Sequence, residues 1–303
     1  GALLPRGREE VGALFGEVSQ AIGTRVVATV MLRADRKARQ DGRVLHEATP
    51  RLGVSVRPHA RWNVSASWAR GYADAPYWYR LATLPDQQGN PDLTPAVLQA
   101  LQVSPAVQVR RGLTARVTLF STSLRHALAR QAADADGATT FDSTGRVRVS
   151  GFEPEVSWLR PGVRVIAHLT TLSAGEAAGY PVTDTRVHNV PSRGWSVVTA
   201  FQPLQGIGSD AWFDISARYV GAQAAPVAVP VGVLLYAEPD RTVNGVVLVG
   251  TGLRSALTVR GRRYAIDAHV QNLLGRVYAQ GGTVAYPYPQ AGRSLLLTVG
   301  TGR

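Results

Sequence analysis

The sequence predicts an all-β fold, an antiparallel transmembrane β-barrel, and three observations carry that reading. Apolar and polar residues alternate through strips of about ten residues, with no helix-period stretch of comparable strength between them. The links between strips are short and long by turns. Aromatic residues favour the ends of strips. The clearest strip is Trp212 to Val220, where Phe213, Ile215, Ala217 and Tyr219 share one face and Asp214, Ser216 and Arg218 the other. Leu113 to Thr122 repeats the pattern. A side-chain period of two makes each strip a strand with one wet and one apolar face.

Taken in order, strands are expected near Gly12–Ile22, Arg25–Arg36, Pro50–Arg57, Trp62–Gly71, Ala96–Arg110, Leu113–Leu124 and Arg146–Trp158. They continue near Val163–Thr171, Ser196–Gln202, Ala211–Gly221, Val243–Gly250, Leu253–Arg260, Tyr264–Leu273 and Ser294–Thr301. That is about 14 strands at the spacing of hairpins in a large barrel. The short links are Ile22–Thr24, Arg57–Arg61, Arg110–Gly112 and Arg160–Gly162. The long ones are Lys37–Thr49, Tyr72–Pro95, Arg125–Gly145, Leu172–Arg193, Ala222–Thr242 and Gly275–Arg293. A soluble sandwich has no reason to gather its long loops at one end, whereas an outer-membrane barrel has short turns on one side and long loops on the other. Trp62, Trp68, Tyr72, Trp158, Trp195, Trp212 and Tyr219 fit interfacial girdles, and equally the ordinary filling of a core.

Composition narrows the partners. There is no cysteine, so disulfides and thiolate metal sites are excluded. The net charge is +12, but only Lys37 is lysine; the rest of the positive charge is arginine spread along the chain. That dispersion argues against nucleic acid as a partner and leaves the phosphates of surface lipid as a counterpart for arginine on outer loops. No apolar run reaches the length of a transmembrane helix, which does not exclude strands that cross.

Catalysis finds no support. His46, His59, His126, His168, His188 and His269 show no metal-ligand spacing, and His168 and His269 fall on polar strand faces. Asp134 and Asp136 beside Gly137 begin a calcium-loop pattern that stops there. No serine sits in a nucleophile elbow. No cofactor, metal ligand or enzyme activity is expected.

Several segments resemble, in order, those of TonB-dependent outer-membrane receptors of the ferric-siderophore type. Gly12-Ala-Leu-Phe-Gly-Glu-Val18 is similar to the family's "aFgev" strand, and Thr49-Pro-Arg-Leu-Gly53 to its "sPRlGl" start. Arg70-Gly71-Tyr72 followed by Gly89-Asn-Pro-Asp-Leu-Thr-Pro95 resembles "GNpdLkPE", the most specific of the signals. Ser150–Glu155 resembles "rGvElE", Val187–Pro191 "l.NvP", and Tyr219–Gln223 "YvGar". Val270–Tyr278 is similar to "v.NLfdkrY", and Pro289–Arg293 to the closing "pGR". Ala96 stands where the family usually has Glu, Leu274-Gly275 replaces Phe-Asp, and the last strand ends in Gly302-Arg303 in place of an aromatic residue.

The resemblance implies a receptor in the Gram-negative cell outer membrane, with lipid around it, that takes up a ferric siderophore or similar iron complex with energy from TonB. The family's barrel has roughly 22 strands around a plugged lumen. Neither plug nor TonB box is visible, so residues 1–303 read as the C-terminal portion of the barrel, with the plug and first strands absent and TonB acting through that missing region. By itself such a portion is expected to leave an open or strained curved sheet. An iron chelate is compact, often anionic and planar in its chelating groups, which suits aromatic and arginine contacts on outer loops. Tyr77, Trp78, Tyr79 and Arg80 form the leading candidate, joined by Tyr180, Arg241, Tyr286 and Tyr288. For Tyr77–Tyr79 the alternative is packing of the loop against the rim. A passive porin-like barrel, one for another nutrient such as cobalamin or a sugar, and a soluble β-sandwich remain the competing readings.

Overall fold

The computed structural model describes residues 7–84, 87–131, 139–177, 189–202, 211–225, 241–259, 261–282 and 287–302. In chain order the elements begin with β1 (Glu10–Ile22), β2 (Val26–Ala38), β3 (Val44–Val56), β4 (Trp62–Ala73), α1 (Tyr77–Leu81), β5 (Thr83–Leu84) and β6 (Gln87–Gln88). They continue with β7 (Ala96–Arg110), β8 (Leu113–Arg130), β9 (Phe141–Arg160), β10 (Val163–Ala177), β11 (Arg193–Phe201), β12 (Trp212–Val220) and β13 (Gln223–Ala225). The last are β14 (Arg241–Val243), β15 (Val246–Val259), β16 (Arg262–Gln271), β17 (Ala279–Gly282), β18 (Pro287–Pro289) and β19 (Ser294–Gly302).

Thirteen of these strands form one antiparallel sheet, in the order β1-β2-β3-β4-β7-β8-β9-β10-β11-β12-β15-β16-β19. Every neighbour in the sheet is also the next long strand in the chain. The other strands are two-stranded ribbons, β5–β6, β13–β14 and β17–β18, inside the long links. An up-and-down order puts successive links at opposite ends, so the links carrying the β5–β6, β13–β14 and β17–β18 ribbons share one rim with the β2–β3 turn, and the tight turns share the other with the link 202–211.

The register assigns the faces. Trp62 pairs with Val107, which pairs with Ala115, which pairs with Val156. Val156 pairs with Ala167, Val197 follows, then Ala217 and Val249. One apolar row thus crosses most of the sheet on a single face. The opposite face carries polar ladders, such as Ser104 to Thr118 at 3.1 Å, Ser55 to Asn63 at 3.0 Å and Ser196 to His168 at 2.9 Å. The apolar face is bare: Leu119 is 50% exposed, Ile215 53% and Trp62 45%. The accessible surface is 19893 Å² for a 32.4 kDa chain, against about 12,000 Å² for a globular monomer of that mass. A single layer with an exposed apolar face is no sandwich. Among the described residues no helix is long and apolar enough to cross a membrane, which says nothing against crossing strands. β1 and β19 end the order, each paired on one side only, and both are exposed along their length. Among the described residues no ladder joins them.

Two expectations are corrected. The segments Val243–Gly250 and Leu253–Arg260 are not separate strands: β15 runs unbroken from Val246 to Val259, giving 13 wall strands in place of about 14. Gly252 lies inside that strand, opposite Asp214 on β12 and His269 on β16. A Cβ there would come within 2.3 Å of His269 Nδ1 and 2.4 Å of Asp214 Oδ1. The real turn holds Gly261, at φ 76°. The Lys37–Thr49 link is also not long, since β2 and β3 extend to Ala38 and Val44 and leave five residues between them. β8 and β9 are longer than expected as well, at 18 and 20 residues. A crossing strand needs about 9–11 residues, and these two exceed that length, with their extra residues on the long-link side. Register irregularities at Arg125–Ala129 mark the extra part.

Candidate ligand-binding rim

The long-link rim is built around segment 74–95. After β4 the chain turns through Asp74, Ala75 and Pro76 into the single turn of α1. Arg80 leaves that helix pointing inward and is 1% exposed. Its Nε donates to the Ala75 carbonyl at 3.0 Å, and its guanidinium pairs with Glu9 at the head of β1. Glu9 also takes Lys37 Nζ at 2.8 Å, and Lys37 reaches Asp74 at 2.8 Å. Arg39 closes the network: it pairs with Asp74 and donates to the Leu93 carbonyl at 3.1 Å. Burial pushes the Glu9 carboxyl up, but hydrogen bonds from Lys37 and Arg80 outweigh it and hold the group below its ordinary value. Asp74 behaves alike: burial raises it, and Arg39 and Lys37 bring it below.

The segment Gly89–Pro95 locks onto this network. Leu93 is 1% exposed. The Asn90 amide N–H donates to the Tyr79 carbonyl at 3.0 Å, and its side-chain Nδ2 to the Phe141 carbonyl at 2.9 Å. Arg43 donates to the Pro91 carbonyl at 3.0 Å and pairs with Asp92, while Thr94 bonds Ser143. Gly89 lies so close to the chain that a Cβ would meet the Ala82 and Arg80 carbonyl oxygens at 2.8 Å. The segment therefore ties α1 to the β2–β3 hairpin and to the long β8–β9 hairpin.

Two further motif positions work the same way. Asn189, at φ 60°, donates its N–H to the Ala224 carbonyl at 2.7 Å. With its amide nitrogen toward the Asn189 carbonyl at 3.2 Å and its oxygen toward the Gly281 N–H at 2.7 Å, Gln223 joins three long links. Asn272, at φ 48°, accepts from the Arg276 N–H and donates to the Arg276 carbonyl, both at 2.8 Å. Asparagine tolerates this left-handed backbone, which explains its place in the motif.

The expected ligand contacts fall unevenly on this frame. Tyr77 and Trp78 are half-buried on α1. The Tyr79 ring packs on Phe141, with centroids 4.4 Å apart, and the Arg80 guanidinium is turned toward Glu9, the Ala75 carbonyl and Asp41. Arg80 thus holds the helix down and does not present its charge to the outside. Tyr288, in the β17–β18 ribbon, is 64% exposed. Arg241 begins β14, where its backbone pairs with Ala225. Tyr180 and Tyr286 lie outside the described residues.

Sequence reading missed two polar features of the inner face. His269 Nε2 lies 2.5 Å from Asp267 Oδ1, and its Nδ1 reaches across Gly252 to Asp214 Oδ1 at 3.8 Å. The Asp267–His269 spacing is present in the sequence, but Asp214 comes from another strand. Nearby, Ser196, Ser216, Arg218, Asn272 and Tyr278 line a recess of about 360 Å³. Among the described residues no group of three or more acidic or histidine side chains could hold a metal.

Residues 3–273 match the family model described as "TonB dependent receptor-like, beta-barrel". The chain belongs to the TonB-dependent receptor β-barrel family. Solved structures of similar fold include the FrpB iron transporter from Neisseria meningitidis (TM-score 0.73, 15% identity), which covers 96% of this chain and 45% of that one. The ferric-catecholate import receptor Fiu from E. coli K12 gives a TM-score of 0.71 at 18% identity, over 96% and 44% of the two chains. The ferripyoverdine receptor of the Pseudomonas aeruginosa outer membrane, bound to ferripyoverdine, gives 0.73 at 15%, over 96% and 38%. At these identities the likeness is one of fold, and the chain spans less than half the length of each. No curated protein matches it. Family and fold are those of receptors and transporters.

Proposed function

We propose that this chain forms the C-terminal part of the wall of a Gram-negative outer-membrane receptor that takes up a ferric siderophore or similar iron complex with energy from TonB. The observation that carries the proposal is the pairing of one bare apolar face with a rim of long links clamped into a rigid platform. The apolar face needs lipid; the platform offers aromatic side chains above a polar inner face. Membership of the TonB-dependent family supports the energy source, and the iron and siderophore receptors among the solved structures support the ligand class. On this reading the plug and the remaining wall strands lie in sequence beyond these 303 residues, and TonB is met through the plug.

For ligand contact we propose Tyr77, Trp78 and Tyr288, with Tyr180, Arg241 and Tyr286 joining from other long links. Tyr79 and Arg80 set the position of α1 beneath them. The iron arrives already chelated, so no protein metal ligand is required. Uptake of ⁵⁵Fe-siderophore by iron-starved cells tests the reading. The expected result is uptake that needs the intact gene and falls to background in a tonB deletion or with a proton uncoupler. Energy-independent uptake would favour a passive porin, and energised uptake of cobalamin or a sugar alone would replace the ligand class.

A further inference from the structure

We infer that the short-link rim is a binding surface for anionic phospholipid headgroups, formed by an arginine collar immediately outboard of an aromatic belt. The inference rests on the membrane reading above and goes beyond it.

The arginines that look dispersed in the sequence converge in the fold. The first hairpin turn carries Arg25, the second Arg57 and Arg61, the next Arg110 and Arg111, and the one after that Arg160. Arg262 opens β16 on the same rim. All are exposed, and among the described residues none has a carboxylate partner. The described short-link residues 23–25, 57–61, 111–112, 161–162 and 261 include no Asp or Glu; Asp210 belongs to the one short-side link outside the described residues. The part of the long-link rim around α1 differs. There Arg33, Arg39, Arg43 and Arg80 are matched by Asp35, Asp74, Asp92 and Glu9. Among the described residues these four long-link arginines have carboxylate partners, and the arginines of the short-link turns have none.

The register then separates a lipid-facing collar from the rest. Trp158 lies on the apolar face, opposite Leu113 and Val165. Arg160 is two residues further out on that face, and the Arg110 guanidinium sits over the Trp158 ring at 6.0 Å. Tyr264, opposite Leu257 on the apolar face, has Arg262 two residues outboard. An aromatic ring at headgroup depth with a guanidinium one step nearer water puts the charge at the level of lipid phosphates. Arg164 lies over Trp212 at 4.6 Å, but both occupy inward-facing positions and stand outside the collar. His59 also lies on this rim, with its Nδ1 facing the Arg61 N–H at 3.3 Å. A guanidinium offers paired donors to phosphate oxygens, so this surface fits phosphatidylglycerol or cardiolipin better than a zwitterionic lipid, whose ammonium offsets its phosphate.

The test is native mass spectrometry of the full-length receptor in detergent, titrated with phosphatidylglycerol or with phosphatidylcholine of the same acyl chains. Wild type is expected to retain phosphatidylglycerol at about tenfold lower lipid concentration than phosphatidylcholine, with the preference shrinking as salt rises. The variant Arg110→Gln/Arg160→Gln/Arg262→Gln is expected to lose phosphatidylglycerol affinity about 10- to 100-fold, phosphatidylcholine being unaffected. Arg43→Gln on the long-link rim is expected to change neither. Heat-modifiable gel migration reports whether each variant assembles. Should the triple variant fail to assemble, the lipid preference and salt dependence of wild type decide alone. Equal retention of the two lipids by wild type, full retention by an assembled triple variant, or displacement by equimolar inorganic phosphate overturns the inference. Loss of siderophore uptake with lipid selectivity intact would strike the proposed function and leave this surface standing.

Discussion

Arg80 shows how far a residue's chemistry depends on which way it points. Beside Tyr77-Trp78-Tyr79 its charge suggests an anion contact, but its guanidinium is buried against Glu9 and the Ala75 carbonyl. Without Arg80, Glu9 keeps Lys37 as its ion-pair partner, but α1 loses its tie to the head of β1 and to the Ala75 carbonyl. Arg80→Ala should therefore free α1, read as faster proteolysis within residues 74–95, and weaken ligand binding only through that release. Trp78→Ala should weaken binding of the iron complex with the protease pattern unchanged; unchanged affinity would leave Trp78 as packing alone. Gly252 is the second decisive residue. Gly252→Ala must displace His269 or Asp214 and should lower stability by about 1–3 kcal/mol in urea unfolding. The same change in a His269→Ala background should cost less, since the nearest atom in the way is gone.

At the scale of elements, the segment 74–95 explains why its motif is the most specific in the chain. Gly89, Asn90, Asp92 and Leu93 each meet a different structural demand: close approach, two bridging hydrogen bonds, an ion pair to Arg43, and burial. Their spacing is readable in sequence, but their partners on β2–β3 and β8–β9 lie tens of residues away and are not. The charge network beneath the segment has a defined pH response. Glu9 and Asp74 are held below their ordinary values, so their contribution is complete above the normal carboxylate range. It is lost as pH falls through those lowered values. Amide exchange over residues 74–84 and 87–95, corrected for its intrinsic pH dependence, should stay slow from pH 7 to 5 and quicken in stronger acid, while β8 and β9 remain protected. Uniform quickening would assign the acid response to the whole sheet.

For the whole molecule, the sheet has no interior of its own, and its stability against water depends on what covers the apolar face. Leu119→Arg, near the middle of a crossing strand on that face, should cost about 2–4 kcal/mol of folding stability in lipid, whereas Thr122→Arg on the inner face should cost less than about 1. Equal costs measured by urea titration in liposomes would contradict the face assignment. The sequence by itself determined the strand class, the two faces and most of the link lengths, the β2–β3 turn excepted. All of these are local: a side-chain period of two, turn glycines, and loop lengths are each contained within one hairpin. The family motifs were legible for the same reason, as short runs in a constant order. Only the tertiary structure decided that Val246–Val259 is one strand, that Arg80 faces inward, and that scattered arginines form a collar on one rim. Each depends on what a neighbouring strand or link places opposite the residue, and cross-strand partners are set by register and not by proximity in the chain.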